Sequence, residues 1–504
     1  MILLQLLQGI TYQKISMPSK MELREIKGIE ADSRKVKPDY AYVCIEGYET
    51  DGHRYILDAI EQGAIVIVVQ NNKVDTDGLD NVVCIEVENT RYTLALLATN
   101  FYSHPAQKLK TIGITGTKGK TTCTYMIHAI LEHAGYQVGL IGTIEIRIGT
   151  KSRKSNHTTP DALELQRTLA EMVEAGCEVV VMEVSSQGLK LDRVAGVIFD
   201  IGVFTNLGED HIGATEHVDV EEYLACKAKL FQQCKLGIGN VDDNSFKEMF
   251  QYATCEMMTY GIHQQGDVQA VNIERFMLGK HMGIRYEVVQ NRHLDEKDLA
   301  ENFLIEMMLP GIFNIYNSLA AITACSFVGV GKLCIQETMK TVQIKGRMER
   351  IETPYAFTLL IDYSHNAMSL EQALLTLRAY HPSKLIVIFG CGGNRAKNRR
   401  YEMGEVAGRL ADFTIITSDN PRYEQPEDIL DDIETGISQT DGKYIRIVDR
   451  KEAIRYGMNY ADEGDVIILA GKGHENYQEI KGIKYEMDER MLIQDIIENE
   501  DKNK

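Results

Sequence analysis

Residues 115–122 read TGTKGKTT, and they lie between a short apolar run at 109–114 and a segment at 123–133 with the pattern of a helix. The order is therefore strand, glycine-containing turn and helix start. Such a turn aims backbone N–H groups and the positive end of the helix at a phosphate group. Lys120 can then reach the β- and γ-phosphates of a nucleotide, and the Thr121 hydroxyl suits Mg²⁺. The stretch predicts an ATP site.

The match to the general P-loop pattern is incomplete at its first position. The pattern G-x-x-x-x-G-K-[ST] requires a glycine where this chain has Ile114, and Gly113 lies one place away. The form present is G-T-x-G-K-T. An ordinary Gly/Thr turn with an exposed lysine is the alternative interpretation, and the strand and helix on either side favour the phosphate site.

Composition narrows the class of protein. A chain of 504 residues predicts about two to four domains. Its 44% hydrophobic and 25% charged content is typical of a globular protein. The net charge of −19, from 54 basic and 73 acidic residues, argues against broad binding to nucleic acid or to an anionic membrane. An anionic small substrate needs only a local basic cluster and is not excluded.

We expect a cytoplasmic protein without a membrane insertion. The ten cysteines include no C-x-x-C pair and indicate reduced thiols. Residues 1–10 are apolar, but they lack a basic region and a cleavage site, and Gln5 and Gln8 interrupt them. This pattern favours an amphipathic helix over a signal peptide. No apolar run reaches the roughly 18 residues needed to span a bilayer.

Apolar runs alternate with amphipathic segments in three blocks, at 1–106, 107–341 and 342–504. The first block has a helical segment at 55–62 between strand-like runs at 40–45, 64–69 and 82–87. Strand-like runs in the other blocks lie at 111–114, 138–141, 178–183, 198–205, 359–362, 385–389, 413–418, 444–448 and 466–470. This alternation predicts an α/β fold with mostly parallel sheets, in which ligands bind beyond the carboxyl ends of the strands.

Two residues of the central block follow predicted strand ends and suit a metal site. Glu183 ends the run at 178–183, where a second Mg²⁺ ligand belongs in a nucleotide site, with a solvated strand-end acid as the alternative. His211, in the sequence EDH, follows a run that ends near 207. Alone it is more often a structural histidine, but beside Thr121 and Glu183 it becomes a candidate for a metal or phosphate contact.

A lysine pair and a threonine pair each leave two interpretations open. Lys227 and Lys229 share a segment whose apolar residues fit one helix face, and position alone does not choose between them. The sequence HTTPD at 157–161 precedes a predicted helix. Its hydroxyl groups could hold a phosphate, or Asp161 could simply cap that helix.

Three loops of the third block also follow predicted strands: GCGGNR at 390–395, DNPR at 419–422 and GKGHE at 471–475. The first leads into a run of cations, which makes an anion site plausible, with a solvated basic loop as the alternative. Because the loops follow strands of one sheet, they suggest a shared site at its edge.

The ordered combination of motifs resembles the Mur ligases over nearly the whole chain. DSR at 32–34 and DGHRYI at 51–56 resemble the family's uridine-binding block, and the loop at 115–122 matches its nucleotide site. Later matches are TTPD at 158–161, EVSS at 183–186, FTNL at 204–207, DH at 210–211, GIFN at 311–314 with Asn317, GRME at 346–349 and DYSH at 362–365. Each motif alone is weak, and their order makes the resemblance specific.

The resemblance implies an ATP-dependent amide ligase of peptidoglycan precursor synthesis. It implies three α/β domains: a smaller N-terminal UDP-substrate-binding domain at 1–106, a central P-loop-type ATP-binding domain at 107–341 and a C-terminal Rossmann-like domain at 342–504. In this family ATP phosphorylates a substrate carboxylate, and an amine then attacks the acyl-phosphate. Both steps build negative charge that Mg²⁺ and cations balance. We expect a monomer with small-molecule partners.

The resemblance also assigns roles by residue. The implied catalytic residues are Lys120, Glu183, His211 and Lys227. Lys227 matches a carbamylated lysine that the family carries in a Y-x-x-x-K pattern. Mg²⁺ falls to Thr121, Glu183 and His211. ATP falls to Gly116, Thr117, Lys118, Gly119, Lys120, Thr121, Thr122, Asn206, Asn314, Arg347 and Asp362. The UDP-substrate falls to Ser33, Thr158, Thr159, Ser185 and Arg193.

The loop DNPR is the form similar to family members that use meso-diaminopimelate. Its Arg422 would hold the distal carboxylate of that amino acid bidentately. Lysine-adding members generally lack this arginine, because lysine has no distal carboxylate. The implied amino-acid site comprises Arg395, Asp419, Asn420, Pro421, Arg422, Gly471 and Glu475, and the implied acceptor is UDP-N-acetylmuramoyl-L-alanyl-D-glutamate.

Five departures from the family pattern fall on substrate contacts rather than on the nucleotide loop. They are His157, Leu191, the segment 212–217, Ala396 and the segment 366–368. They leave two alternatives open, an L-lysine-adding enzyme and a Mur-like ligase with another acceptor. A catalytically inactive binding protein is a third alternative, against which the intact residues Lys120, Thr121, Glu183 and His211 argue.

Overall fold

The computed structural model describes residues 1–16, 18, 21–71, 73–74, 79, 81–208, 213, 216–292 and 302–501. The chain forms two compact units. The first comprises Met1–Gln269 and Asn317–Val330, and the second comprises Ala270–Tyr316 and Gly331–Lys504. The domain boundaries predicted at 106 and 341 remain a prediction.

The first unit begins with a sheet of five short strands in the order β1-β5-β4-β3-β2. All neighbours are parallel except β1, which pairs antiparallel with β5. The strands are β1 Lys14–Ser16, β2 Gly28–Glu30, β3 Tyr40–Val43, β4 Ala64–Gln70 and β5 Val83–Val87, and the helices are α1 Leu3–Leu6, α2 Ile56–Glu61 and α3 Thr90–Phe101. The predicted strands and the helix at 55–62 are confirmed, whereas the helix expected over residues 1–10 is only one turn long.

The same unit contains the central sheet, in which the strands from β13 to β7 run parallel in the order β13-β12-β11-β6-β10-β7. An antiparallel hairpin, β8 and β9, extends it beyond β7. The strands are β6 Lys110–Thr115, β7 Val138–Ile141, β8 Glu145–Ile148, β9 Lys151–Lys154, β10 Val179–Glu183, β11 Phe199–Phe204, β12 Cys234–Asn240 and β13 Glu256–Gly261. The carboxyl ends of β6, β7, β10 and β11 therefore meet at one edge.

Helices cover this central sheet, as continuous apolar strands require. They are α4 Lys120–His133, α5 Ala162–Glu174, α6 Ser186–Lys190, α7 Val220–Ala228 and α8 Phe246–Met249, and α9 Ile312–Val328 continues into this unit from the second. Every residue of β10 is buried, including Glu183 at its end. A carboxylate inside an otherwise apolar strand marks that end as the functional one.

The second unit is built on a sheet of order β17-β18-β22-β19-β20-β21, parallel except for β17. β14 Val268–Leu278 enters this unit from the first, and β15 His281–Gln290 and β16 Phe303–Met307 follow it. The strands of the sheet itself are β17 Glu349–Ile351, β18 Thr358–Asp362, β19 Leu385–Phe389, β20 Phe413–Ile416, β21 Tyr444–Arg446 and β22 Val466–Ala470. A separate hairpin consists of β23 Tyr477–Ile480 and β24 Ile483–Glu486. The helices of this unit are α10 Lys332–Thr341, α11 Ala367–Arg378, α12 Asn398–Leu410, α13 Pro426–Ile437, α14 Arg450–Tyr460 and α15 Glu489–Asp501.

The turn between β14 and β15 packs against the sheet of the second unit. The Thr358 hydroxyl donates to the carbonyl of Lys280 at 2.9 Å, and the Tyr380 hydroxyl donates to the carbonyl of Gly283 at 3.1 Å. β15 and most of β14 therefore belong to the second unit. Within the described residues, no helix has both the length and the apolar character that crossing a membrane requires.

A buried ion pair holds the strand ends of the second unit. Arg450, at the start of α14, pairs with Glu489, at the start of α15, at 2.7 Å. The same guanidinium donates to the carbonyls of Ser418 and Ala470, both at 3.2 Å. These two carbonyls lie where the chain leaves β20 and β22, directly before the predicted loops at 419 and 471.

Replacing Arg450 with methionine should therefore destabilise the second unit. The change leaves a Glu489 carboxylate that is 0% exposed without its counter-ion, and breaking a buried pair from one side costs about 3–5 kcal/mol. We expect a clear fall in the thermal unfolding midpoint, measured by calorimetry. Lys451→Met is the matched control, because Lys451 pairs with Asp495 at the surface and such pairs contribute at most about 1 kcal/mol. Equal midpoints for the two variants would contradict this role of Arg450.

Candidate active site

The loop at 116–119 is held by the end of the neighbouring strand β11. The Thr205 hydroxyl donates to the carbonyl of Lys118 at 2.7 Å. Asn206 brackets the same residue, accepting from the Lys118 N–H at 2.9 Å and donating to its carbonyl at 3.1 Å. The predicted residue Asn206 thus fixes the shape of the loop.

Helix α4 begins at Lys120, three residues before the predicted start at 123. Gly119 turns the chain into the helix with φ +84°, and a Cβ atom at this position would lie 2.3 Å from Oδ1 of Asn317. The first N–H groups of a helix have no partner within it. The N–H groups at Lys120, Thr121 and Thr122 therefore form the anion-binding end that the sequence predicted.

Two lysine side chains converge on one carbonyl of this loop. The Nζ atoms of Lys120 and Lys227 donate to the carbonyl of Gly116 at 2.8 and 2.9 Å. Lys227 is 1% exposed, whereas Lys229 reaches the carbonyl of Leu189 at 3.4 Å. The structure therefore brings Lys227, and not Lys229, to the phosphate loop.

The aromatic ring of Tyr223 supports this arrangement from α7. Its ring centroid lies 4.3 Å from Nζ of Lys227, and its hydroxyl lies 3.1 Å from the Thr117 hydroxyl. His217 is buried against the same tyrosine, with ring centroids 5.1 Å apart. His217, which belongs to the segment that differs from the family pattern, therefore packs against the tyrosine that contacts Lys227.

The predicted metal ligand His211, with neighbouring residues 209–212, lies outside the described residues.

The carboxylate of Glu183 is surrounded by neutral donors. The Thr121 hydroxyl lies 3.0 Å from both carboxylate oxygens, and Thr143 donates from its N–H at 2.8 Å and from its hydroxyl at 3.1 Å. Glu183 is 1% exposed. Among the described residues, no cationic side chain forms an ion pair with it. Burying a carboxylate without a counter-ion is costly, so this pocket suits a cation.

The donor set is that of a hard divalent ion. A carboxylate and a hydroxyl oxygen are ligands of the kind Mg²⁺ takes beside nucleotide phosphates. Thr121 and Glu183, both predicted as ligands, are within hydrogen-bond distance of each other. The residues present therefore fit Mg²⁺. Thr143 was missed from the sequence, although it follows β7 as Glu183 ends β10 and could have been found by the same strand-end argument.

The threonine pair continues the network from Glu183. The Thr158 hydroxyl lies 3.0 Å from that of Thr143, and the Thr159 hydroxyl donates to the carbonyl of Glu183 at 2.9 Å. The Ser185 N–H donates to Thr159 at 2.9 Å, and Arg193 donates to the Thr159 carbonyl at 2.8 Å. Four of the five residues predicted for the UDP-substrate therefore adjoin the predicted metal site.

Two details of this region differ from expectation. Asp161 precedes α5 but makes no capping hydrogen bond with its side chain; it pairs instead with Arg193 at 3.0 Å. The capping interpretation of that aspartate is therefore wrong. Ser33, the fifth predicted residue, is buried in a short 3-10 helix capped by Asp32. In the described part of the chain it is not part of the hydrogen-bond network around Thr159.

In the second unit, Arg347 and Asp362 lie close together. Asp362 ends β18 and accepts from the N–H of Met348 at 2.8 Å. The Arg347 guanidinium lies 4.8 Å from the ring centroid of Tyr363. Burial raises the pKa of Tyr363, the Glu475 carboxylate raises it further, and Arg347 opposes both. Tyr363 therefore interacts both with Arg347, which is predicted to bind ATP, and with Glu475, which is predicted to bind the amino acid. Asn314, at the start of α9, is held by its hydrogen bond to the carbonyl of Pro310 at 2.8 Å.

The three predicted loops meet at the carboxyl ends of β19, β20 and β22. The Asn420 side chain donates to Glu475 at 2.9 Å, and Arg422 donates to the carbonyl of Gly393 at 2.6 Å. The loops are also closely packed: an added Cβ at Gly393 would lie 2.0 Å from the carbonyl oxygen of Pro421, and one at Gly471 would lie 3.2 Å from Oδ2 of Asp419. The three loops therefore lie together, and the roles of these residues and of Arg395 remain predictions.

Comparison with known proteins identifies the family. Three family models match: Mur ligase family, catalytic domain at 25–102; Mur ligase middle domain at 114–325; and Mur ligase, glutamate ligase domain at 346–473. A curated relative from Caldanaerobacter subterraneus subsp. tengcongensis, named UDP-N-acetylmuramoyl-L-alanyl-D-glutamate--2,6-diaminopimelate ligase, is 41% identical over 503 residues and is covered over 100% of both chains.

The chain belongs to the Mur ligase family. A relative of the same name from Clostridium perfringens is 40% identical, with 99% of this chain and 100% of the relative covered. A solved structure with that name is 28% identical, with a TM-score of 0.71, and covers 96% of this chain and 97% of its own. The predicted family and fold class are confirmed, and the mixed sheets described above are the Mur ligase fold.

Gly119→Ala in this Mur ligase should weaken Mg-ATP binding. The added Cβ would overlap Asn317 and shift the loop that positions the helix N-terminus. Gly135→Ala is the matched control, because Gly135 has a similar φ of +93° with nothing within 4 Å of an added Cβ. Calorimetric titration should show a loss of affinity of about tenfold or more for Gly119→Ala, equivalent to about 1.4 kcal/mol. Equal affinities for the two variants would contradict the loop's role.

Proposed function

We propose that this Mur ligase uses ATP to add meso-diaminopimelate to UDP-N-acetylmuramoyl-L-alanyl-D-glutamate in peptidoglycan precursor synthesis. The names of the curated relatives print the same acceptor and 2,6-diaminopimelate. The observation that carries the amine assignment is the position of Arg422, whose guanidinium donates to the carbonyl of Gly393, while Asn420 of the same loop donates to Glu475. An arginine there matches an amino acid with a second carboxylate.

The first step transfers the terminal phosphoryl group of ATP to the acceptor carboxylate. The N–H groups of the loop and the Lys120 ammonium lie where they can balance the phosphate charge. When bound, Mg²⁺ would neutralise charge that develops on the phosphates. Thr121 and Glu183 would hold it, with His211 as the third predicted ligand. Thr158, Thr159, Ser185 and Arg193 would hold the acceptor beside this site.

In the second step the amine of the incoming amino acid attacks the acyl-phosphate and phosphate leaves. The far end of meso-diaminopimelate is a zwitterion, with one carboxylate and one ammonium group. Arg422 is suited to the carboxylate and Glu475 to the ammonium group. L-lysine has no carboxylate at that end, so Arg422 would be left without its partner.

We also propose that Lys227 is carbamylated. Its Nζ and that of Lys120 meet at the same carbonyl, and two like charges in a buried site repel each other. Carbon dioxide adds to a neutral lysine amine, with loss of one proton, and converts it into an anionic carbamate. The carbamate keeps one N–H for the carbonyl of Gly116 and removes the repulsion. We further propose that the enzyme acts as a monomer in the cytoplasm.

The amine assignment is tested by phosphate release with Mg-ATP and the UDP-dipeptide acceptor. We expect release with meso-diaminopimelate and not with L-lysine. Arg422→Ala should raise the KM for diaminopimelate by about 10- to 100-fold, the range expected for a lost hydrogen bond to a charged group. Arg455→Ala, which removes an arginine paired with Glu452 at the surface, should leave that KM unchanged.

Each other outcome rejects part of the proposal. Release with lysine alone would reject the role of Arg422. Release with neither amine would reject the acceptor and favour a Mur ligase that acts on another carboxylate. Phosphate release that needs neither acceptor nor amine would describe an ATPase.

Carbamylation is tested with ¹³C-labelled bicarbonate. The wild-type protein should show a carbamate carbon resonance in the NMR spectrum, and Lys227→Ala should lose both the resonance and most of the activity. Lys229→Ala, two residues away on the same segment, should keep both. A resonance that persists in Lys227→Ala would place the modification elsewhere.

A further inference from the structure

Lys472 is a fully buried cation beside the predicted amino-acid site. It lies two residues beyond β22, in the loop 471–475, and its side chain is 0% exposed. Its Nζ atom donates to Oδ1 of Asn420 at 2.9 Å, to Oε2 of Glu475 at 2.9 Å and to the carbonyl of Tyr477. An ammonium group has three N–H donors, so these contacts use all of them.

The first contact fixes the orientation of the Asn420 amide. Its Oδ1 accepts from Lys472 and also from the N–H of Glu479 at 2.9 Å. Because both of these groups can only donate, the carbonyl oxygen must face them. The Asn420 NH₂ group then faces Glu475, to which it donates at 2.9 Å. Without the Lys472 ammonium, one of the two constraints against an amide flip is lost.

The second contact gives the two carboxylate oxygens of Glu475 different hydrogen-bond partners. Oε2 accepts from both Lys472 and Asn420. Among the described residues, Oε1 accepts no hydrogen bond, which leaves it for the ammonium group of a substrate. Burial raises the pKa of the neighbouring Tyr477 to about 12, and the Glu475 charge raises it as well, so the phenol stays neutral beside the lysine.

The third contact joins Lys472 to the β23–β24 hairpin, which contains Glu479, a partner of Arg422. Tyr477 begins β23, and two residues later Glu479 accepts from the Arg422 N–H at 2.9 Å and pairs with its Nε at 3.4 Å. Arg422 itself has φ +53°, an uncommon backbone conformation for a residue with a side chain. Lys472 therefore ties together Asn420, Glu475 and the strand against which Arg422 is placed.

We propose that Lys472 is a positioning residue for the amino-acid substrate of this ligase. It does not touch the substrate; it orients Asn420, saturates one oxygen of Glu475 and anchors β23. The inference rests on the proposed function in that it assigns the amino-acid site to these loops. It goes beyond that function because it predicts that Lys472, which does not touch the substrate, affects the affinity for the amino acid but not for ATP or the UDP-dipeptide.

The test compares Lys472→Met with wild type and with Lys451→Met, a surface control on α14 of the same unit. Kinetic constants are measured for ATP, the UDP-dipeptide and meso-diaminopimelate. Acyl-phosphate formed without amine is trapped with hydroxylamine. We expect the KM for diaminopimelate to rise by about 10- to 100-fold, as for the loss of hydrogen bonds from a charged donor. The other two KM values and the trapped acyl-phosphate should match wild type.

Parallel loss of all constants and of the trapped acyl-phosphate would overturn the inference, because it would mean that Lys472 only maintains the fold. An unchanged KM for diaminopimelate would overturn it as well. Lys472→Arg keeps a cation with altered geometry, and carries the same comparison if the methionine variant does not fold. If wild type uses another amine, the proposed substrate fails while Lys472 is tested with the amine that is used.

Discussion

The carboxylate of Glu183 joins the parts of the nucleotide site into one structure. Its oxygens accept from the first turn of α4 through Thr121 and from the end of β7 through Thr143, and its own carbonyl receives the Thr159 hydroxyl. The start of α4, two strand ends and the segment predicted to hold the acceptor thus meet at one residue. A buried anion surrounded only by neutral donors is stable when a cation is available to it. The proposed Mg²⁺ site therefore lies where several elements of the first unit meet.

The second unit uses buried cations at the equivalent position. Arg450 donates to carbonyls where β20 and β22 end, and Lys472 occupies the loop immediately beyond β22. Each of these cations has a buried or half-buried carboxylate partner, Glu489 or Glu475. The difference suits the proposed ligands: phosphates and a metal ion require donors and an anion, whereas an amino acid requires a carboxylate and an arginine held at fixed positions.

Much of this arrangement could be predicted from the sequence because parallel strands are continuous apolar runs. Their ends are visible as polar residues that follow the run, which is how Glu183 and the three loops of the second unit were found. Lys472 escaped because a lysine in a loop is usually solvated, and only the tertiary structure shows that it is buried. Thr143 was overlooked although it follows a strand end. The hairpin of β23 and β24 was not predicted from the sequence. Its residues are mostly polar and exposed, so no apolar run indicates a strand there.

The contacts of single side chains were less predictable than the elements that carry them. Asp161 is placed as a helix cap would be, yet its charge is drawn to Arg193, a partner that lies far along the chain. The choice between Lys227 and Lys229 also depended on the family resemblance, since both lie on one helical segment. Only the fold decides it, by burying one lysine against Gly116 and leaving the other near Leu189.

The incomplete P-loop pattern has a physical explanation in the central strand. Ile114 lies inside β6, paired with Glu183 on one side and Val203 on the other, and its side chain belongs to the core. Gly113 serves the packing of that strand, since a Cβ there would lie 2.9 Å from the ring of Phe199. The loop therefore starts later, at Gly116, where a Cβ would overlap the Thr205 hydroxyl at 1.9 Å. Because β11 supplies the support through Thr205 and Asn206, the chain does not need the first glycine of the general pattern.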